Sequence, residues 1–201
     1  EEVMKDLEHQ KLESELQYLK YQLNPHFFMN TLNNIHALID IDSRKAKTSI
    51  IELSKLMRYV LYESNKDYIE LTKEIIFLQN YIELMRLRFT ESLNIQTDFP
   101  LIVPEVKIPP LLLISLLENA FKHGVSYREA SFIHICLKID DGSLIFKCSN
   151  SKHRTKKDEH HGVGLENVKK RLQLLFGNNY TYTVNENENE YNVSLNIPLN
   201  T

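Results

Sequence analysis

Three groups of residues have the types and spacing for chemistry on phosphate. In Asn24-Pro25-His26-Phe27-Phe28-Met29-Asn30, a neutral imidazole offers a ring nitrogen that can attack a phosphoryl group. Asn30 follows His26 by four residues, one helical turn on, within reach of whatever His26 carries. In Leu111 to Gly124 an apolar helix ends abruptly in Glu118, Asn119, Lys122 and His123, the last three sharing a face. An Asn carbonyl is a hard oxygen ligand for Mg²⁺, and Lys122 and His123 are donors to phosphate oxygens. In His161-Gly162-Val163-Gly164-Leu165-Glu166-Asn167, two of the chain's 5 glycines precede a helix and let backbone amides approach an anion. The polar stretch from Ser151 to His161, with Lys152, Arg154, Lys156 and Lys157, reads as a lid over phosphates. Each group also has an ordinary structural explanation: a core histidine, a frayed helix end, a solvated loop. Neither a P-loop motif nor a Gly-x-Gly-x-x-Gly after a strand is present, so those nucleotide folds are excluded.

The elements that must position these groups fall into two textures. Leu12, Leu16, Leu19 and Leu23 form an a/d stripe on a helix predicted to run to about Asp40, kinked where Pro25 lacks the amide for Tyr21. Asp42-Ser43 starts a second helix carrying Ile50, Leu53, Leu56, Met57, Val60 and Leu61. A helical hairpin must bury its stripe, and a dimeric four-helix bundle is the economical solution, with a monomeric hairpin packed on the rest of the chain as the alternative. Residues 62–69 break the pattern, which divides the chain into 1–64 and 65–201. A third helix spans about Thr72 to Phe89, with Ile75, Leu78, Ile82, Met85 and Phe89 on one face.

Beyond residue 92, strands are expected at Asn94–Phe99, Ser131–Ile139, Ser143–Asn150, Tyr180–Val184 and Tyr191–Ile197, with helices at Pro109–Gly124 and Leu165–Phe176. That order gives an α+β sandwich with one mixed or antiparallel sheet. Asp141-Gly142 is a two-residue hairpin turn, which sets Ile139 opposite Leu144, Leu137 opposite Phe146, Ile135 opposite Cys148 and Ile133 opposite Asn150. Asn150 therefore ends the core-facing row, and Cys136 points away from Cys148.

The 201 residues are 42% hydrophobic and 25% charged with a net charge of −3, so a basic nucleic-acid-binding face is not expected. No apolar run exceeds the four residues of Leu111–Ile114, far too short for a membrane span, and the acidic start is unlike a signal peptide. Two cysteines fit a reducing compartment. The chain starts at Glu1 without Met, as expected of a piece of a longer protein, and any membrane segment upstream would lie outside this sequence.

In combination these motifs resemble a known family. Gln22 to Asn33 is similar to the phosphoacceptor box of LytS/YehU-type sensor histidine kinases, Leu117 to Gly124 resembles their N box, and Gly162 to Asn167 with Arg171-Leu172 resembles their glycine box. Leu56-Met57-Arg58-Tyr59 and Tyr81 to Phe89 match as well. The resemblance implies a homodimeric histidine-phosphotransfer hairpin followed by a Bergerat-type ATP-binding domain. It implies ATP bound with Mg²⁺ through Asn119, Lys122 and His123 near the phosphates, and Gly162, Gly164 and Asn167 at the lid's exit. His26 would take the γ-phosphoryl group and pass it to an aspartate of a response regulator, often a LytTR-type transcription factor. The setting would be the cytoplasmic side of a membrane-anchored sensor. Where most Bergerat ATPases carry Asp-x-Gly-x-Gly, this chain has Ser149-Asn150-Ser151, so Asn150 would accept from the adenine amine. Phe27 stands where many kinases have an acid after the histidine, so the base is either Glu118 or dispensable, because a neutral imidazole needs little help, and Asn30 is a residue for orienting water in dephosphorylation. A dimeric signalling pseudokinase with little ATP turnover is the alternative of another class. A Bergerat kinase acting on serine is disfavoured by the His26 hairpin.

Overall fold

A computed structural model describes residues 25–89, 93–126, 129–153 and 163–199, excluding the side chains of residues 25, 26, 163 and 164. The leucine stripe at 12–23 therefore lies outside the described residues, as do the lid stretch at 154–161 and Gly162. Helix α1 (Pro25–Ile41) is followed after one residue by α2 (Ser43–Tyr62), and the two pack on one another. Asp42 makes that break: its carboxylate accepts from the Lys45 amide at 2.9 Å, satisfying a donor the helix start would otherwise orphan.

Periodicity then sorts the hairpin into two faces. Phe27, Thr31, Ile35, Ala46, Ser49, Leu53, Leu56 and Tyr59 are buried. Met29, Leu32 and Ile39 on α1 and Ile50, Met57 and Leu61 on α2 are exposed. The apolar stripe of α2 is thus shared: Leu53 and Leu56 on one edge are buried within the chain, while Ile50, Met57 and Leu61 on the adjoining edge are exposed.

A two-residue strand β1 (Ile69–Glu70) leads into α3 (Leu71–Arg88). α3 is wrapped by protein on more than one side, since Phe77, Tyr81 and Leu84 are buried along with the expected Ile75, Leu78, Ile82 and Met85. It lies against α2, where Tyr59 and Phe77 stack with ring centroids 4.1 Å apart. The remaining strands are β2 (Leu93–Asp98), β3 (Lys107–Ile108), β4 (Ser131–Asp140), β5 (Ser143–Ser151), β6 (Thr181–Glu186) and β7 (Glu190–Pro198), with helices α4 (Ile114–Gly124) and α5 (Val163–Phe176). The short pair β1 and β3, antiparallel to one another, was not anticipated from sequence.

The main sheet has the order β2-β4-β5-β7-β6, with β2 parallel to β4 and the other pairs antiparallel. This is the mixed sheet of an α+β fold. The expected register is observed, including Ile133 opposite Asn150 and Ile139 opposite Leu144. Asp141 and Gly142 both take positive φ (44° and 69°), as a tight hairpin between twisted strands requires. Ile133, Ile135, Leu137, Leu144, Phe146 and Cys148 face the core, Cys136 lies on the other face, and both cysteines are free.

One boundary differs from expectation. The helix read as opening at Pro109 starts at Ile114. Leu111 adopts a φ of 58°, a left-handed backbone that an L-residue with a Cβ avoids and that no helix contains. The amides of Leu111, Leu112 and Leu113 point to a side chain of α3, so the stretch is a tight turn held from outside.

Candidate active site

α4 carries its apolar residues Ile114, Leu116, Leu117, Ala120 and Phe121 into the core against β4 and β5. The polar end follows on the same helix. Glu118 is mostly buried, its Oε1 has no hydrogen-bond partner, and burial pushes its carboxyl up to about 7. Asn119 and His123 are half-buried and Lys122 is exposed, and helical spacing sets all three on one face.

Where α4 ends, β5 ends too. Ser151 Oγ donates to the Gly124 carbonyl at 2.7 Å, and Asn150, 2% exposed, packs directly against Gly124. Its Nδ2 donates to the Ser151 carbonyl at 2.8 Å. His153, three residues on, touches Ser131 Oγ through Nε2 at 3.0 Å and Glu129 Oε2 through Nδ1 at 3.0 Å. The structure thus gathers the polar end of α4, Asn150 and the point from which the expected lid departs.

α5 packs against α4 and begins with Gly164 in its first turn, and Asn167 is half-buried one turn on. Val168, Arg171 and Leu172 form its buried face.

His26 lies in the first turn of α1. Its neighbour Phe27 is buried, with its ring 5.2 Å from that of Tyr81 on α3. Tyr81 in turn meets Phe121 of α4 edge-on at 5.7 Å. Burial pushes the Tyr81 hydroxyl well above its ordinary value, and the Glu118 charge adds to the shift. A continuous aromatic contact therefore runs from the residue after His26 to the helix of Glu118 and Asn119.

The group that sequence reading missed is centred on Glu74 of α3, which is wholly buried. Its Oε2 accepts from the Tyr59 hydroxyl and from the Leu111 amide at 3.0 Å, and its Oε1 accepts from Leu112 at 3.0 Å and Leu113 at 3.4 Å. From the other side, Arg171 Nη1 donates to the Leu111 carbonyl at 2.7 Å and Nη2 to the Pro110 carbonyl. Burial raises the Glu74 pKa, opposed by the Tyr59 hydroxyl, the backbone amides and the Arg171 charge. Every group that bonds Glu74 in this cluster is a donor, which selects the carboxylate form. Burial lowers Arg171 to about 10 while the Glu74 charge opposes that fall. The signal was present in sequence: Glu74 occupies a position of the buried stripe of α3, between Leu71 and Leu78, where a charge demands a partner.

Residues 14–93 match the histidine kinase family. The sensor protein LytS of Staphylococcus saprophyticus is 31% identical over 201 residues, taking in 92% of this chain and 34% of that protein. The sensor histidine kinase/phosphatase LytS of Staphylococcus aureus is 33% identical over 183 residues, taking in 82% of this chain and 31% of that protein. The chain belongs to the LytS-type histidine kinases. It spans about a third of the length of the curated relatives it matches.

Solved structures agree on the fold. A bacterial phosphotransferase superposes with a TM-score of 0.52 at 11% identity, over 92% of this chain and 95% of that one. The blue-light activated histidine kinase of Erythrobacter litoralis EL346 gives 0.50 at 16% identity, over 94% of this chain and 60% of that one. In this LytS-type chain, Glu118, Asn119, Lys122 and His123 share α4, Asn150 abuts that helix's end, and Gly164 and Asn167 stand on the helix packed against it. Asn30 lies on α1, half-buried and one turn beyond His26.

Proposed function

We propose that this chain is the catalytic core of a two-component sensor histidine kinase. Residues 1–64 serve as the dimerisation and phosphotransfer hairpin and residues 65–201 as a Bergerat-type ATP-binding domain. The observation that carries this reading is the aromatic contact Phe27–Tyr81–Phe121, which ties the start of the His26 helix to the helix bearing Glu118 and Asn119.

In the reaction, a ring nitrogen of His26 attacks the γ-phosphorus of ATP, the bond from that phosphorus to the β–γ bridging oxygen breaks, and ADP leaves. The imidazole loses a proton, for which Glu118, with an unpartnered buried oxygen and a carboxyl near neutrality, is the base. The phosphoryl group then passes from His26 to an aspartate carboxylate of a response regulator, which the family relation suggests is of the LytTR type. Asn119 offers an amide oxygen on a half-buried helix face, a donor suited to Mg²⁺. That ion, when bound, neutralises phosphate charge. Lys122 and His123 on the same face donate to phosphate oxygens, Asn150 accepts from adenine, and Gly162, Gly164 and Asn167 border the phosphates at the start of α5. Asn30 orients water for dephosphorylation, in which the phosphoryl group leaves as inorganic phosphate. These roles amount to positioning and charge neutralisation, the main demands of phosphoryl transfer.

The homodimer is supported by the exposed apolar residues of both hairpin helices. Met29, Leu32 and Ile39 on α1, with Ile50, Met57 and Leu61 on α2, recur at three- and four-residue spacings or their sums. Among the described residues no helix is long and apolar enough to cross a membrane; the placement as the cytoplasmic part of a membrane-anchored sensor rests on the relation to the LytS sensors.

One observation favours the scaffold alternative. Asn150, which would accept from adenine, is only 2% exposed, so its side chain offers an incoming amine almost no access. Titration with Mg-ATP together with an assay of phosphorylation separates the two readings, since a scaffold can bind nucleotide without turning it over. The enzyme binds nucleotide in a Mg²⁺-dependent way, and Asn119→Asp weakens binding and phosphorylation about tenfold or more. Unchanged binding and labelling in that variant would remove Asn119 from the metal role. Absence of binding or of labelling in the unaltered chain would leave the scaffold.

A further inference from the structure

Leu111 is a leucine in left-handed backbone, with its amide bonded to Glu74 and its carbonyl to Arg171. A non-glycine residue stays in that region only where its surroundings over-determine it. Here the surroundings are two buried charged groups on different elements. Glu74 comes from α3, and Arg171 comes from the helix that follows the glycine pair. The turn they hold, Pro110 to Leu113, is the start of α4, which carries Glu118, Asn119, Lys122 and His123. A third element reaches the same carboxylate, since Tyr59 of the hairpin donates its hydroxyl to Glu74 Oε2.

We infer that Glu74 and Arg171 are positioning residues for the nucleotide-facing helix α4, and that the Tyr59 hydroxyl joins the phosphotransfer hairpin to the same point. The inference rests on the reading of α4 as the nucleotide helix. Its physical content is a clamp on one strained turn. The carboxylate takes the turn's three amides, the guanidinium takes two of its carbonyls, and the axial position of α4 follows from where that turn is fixed. Because Arg171 also belongs to α5, the two helices that flank the proposed phosphate site are held in one register. Movement of α2 that withdraws Tyr59 would leave the carboxylate one donor short and alter the hold on α4.

The test uses the whole 201-residue chain and five variants: Glu74→Gln, Arg171→Lys, Tyr59→Phe, Glu74→Gln combined with Leu111→Gly, and Leu111→Gly alone, the reference for the double variant because it deletes a buried side chain. Glycine adopts the left-handed conformation without strain, so it restores the turn without restoring the charge. Apparent KM for ATP and the maximal phosphorylation rate are measured separately, with hydrogen exchange of the peptide covering residues 111–119. Glu74→Gln is expected to raise KM at least fivefold and to accelerate exchange in that peptide. Adding Leu111→Gly is expected to bring both back to within about twofold of Leu111→Gly alone. Tyr59→Phe should leave KM within twofold while lowering the maximal rate and loosening the same peptide. Should Glu74→Gln not fold, Arg171→Lys with and without Leu111→Gly is read in the same way. A folded Glu74→Gln chain with unchanged KM and exchange overturns the inference, and so does a loss that Leu111→Gly fails to rescue, since a lost packing contact would not respond to the turn's backbone. If the unaltered chain neither binds nor uses ATP, the functional reading fails. The exchange arm then still decides whether Glu74 and Arg171 position α4.

Discussion

A Cβ atom on Gly124 would stand 2.6 Å from Cβ and 2.8 Å from Nδ2 of Asn150, closer than any side chain tolerates. The last residue of α4 and the penultimate residue of β5 are therefore pressed together, and only glycine permits that approach at 124. Because the nearest atom is the Cβ of a buried residue, and not the tip of a flexible chain, Asn150 cannot move aside without disturbing the strand. Gly124→Ala should lower stability by about 1–3 kcal/mol, the usual cost of overpacking a filled site, as read by urea unfolding. It should also weaken nucleotide binding, because the end of α4 and Asn150 shift together. An alanine variant of unchanged stability and affinity would contradict the contact.

Glu118 makes stability depend on pH. Burial raises its carboxyl from the ordinary 4.5 to about 7 in the folded chain, so folding favours the protonated form. The favourable contribution is complete below pH 4.5 and is lost as pH rises through about 7, an effect of at most about 3 kcal/mol. Urea unfolding of the unaltered chain and Glu118→Gln at pH 5 and pH 8 isolates it. Relative to the unaltered chain, the glutamine variant should gain stability at the higher pH. Equal differences at both pH values would show that the carboxyl is solvated. Phosphorylation by the unaltered chain should rise with pH through 7, and that rise should vanish in the variant.

In the proposed homodimer the exposed apolar rows on α1 and α2 would be covered by a second copy. Replacing Leu32 and Met57, 46% and 43% exposed, with glutamate charges the centre of both rows while leaving the buried residues of the hairpin in place. Sedimentation velocity should report a dimer for the unaltered chain and a monomer for the double variant, with helix content kept. A double variant that remains dimeric would place the interface elsewhere.

Sequence patterns disclosed a good deal of this molecule where one period governs a segment. The Asp141-Gly142 turn fixed the β4–β5 register residue by residue, since two-residue loops leave no freedom in pairing. Asp42 marked the break between α1 and α2 through its capping chemistry. What sequence left hidden depends on contacts between distant segments. No local rule places Leu111 in left-handed backbone, because Glu74 and Arg171, far away in sequence, impose it. The apolar run from Leu111 to Leu113 reads as helix by hydrophobicity, yet it is a turn because its amides are captured by a carboxylate. The polar cluster on α4 was legible from composition, since polar groups at the end of an apolar helix stand out. The tie between Phe27 and Tyr81 was not, because each aromatic by itself reads as core.

The most direct measurement is incubation of the chain with γ-labelled ATP and Mg²⁺, alongside His26→Gln, with the label's stability followed in acid and alkali. Phosphorylation on a histidine nitrogen gives label that is lost in acid, survives alkali and is absent from His26→Gln. Label that persists in His26→Gln, or that withstands acid, would contradict His26 as the phosphoacceptor and with it the central claim.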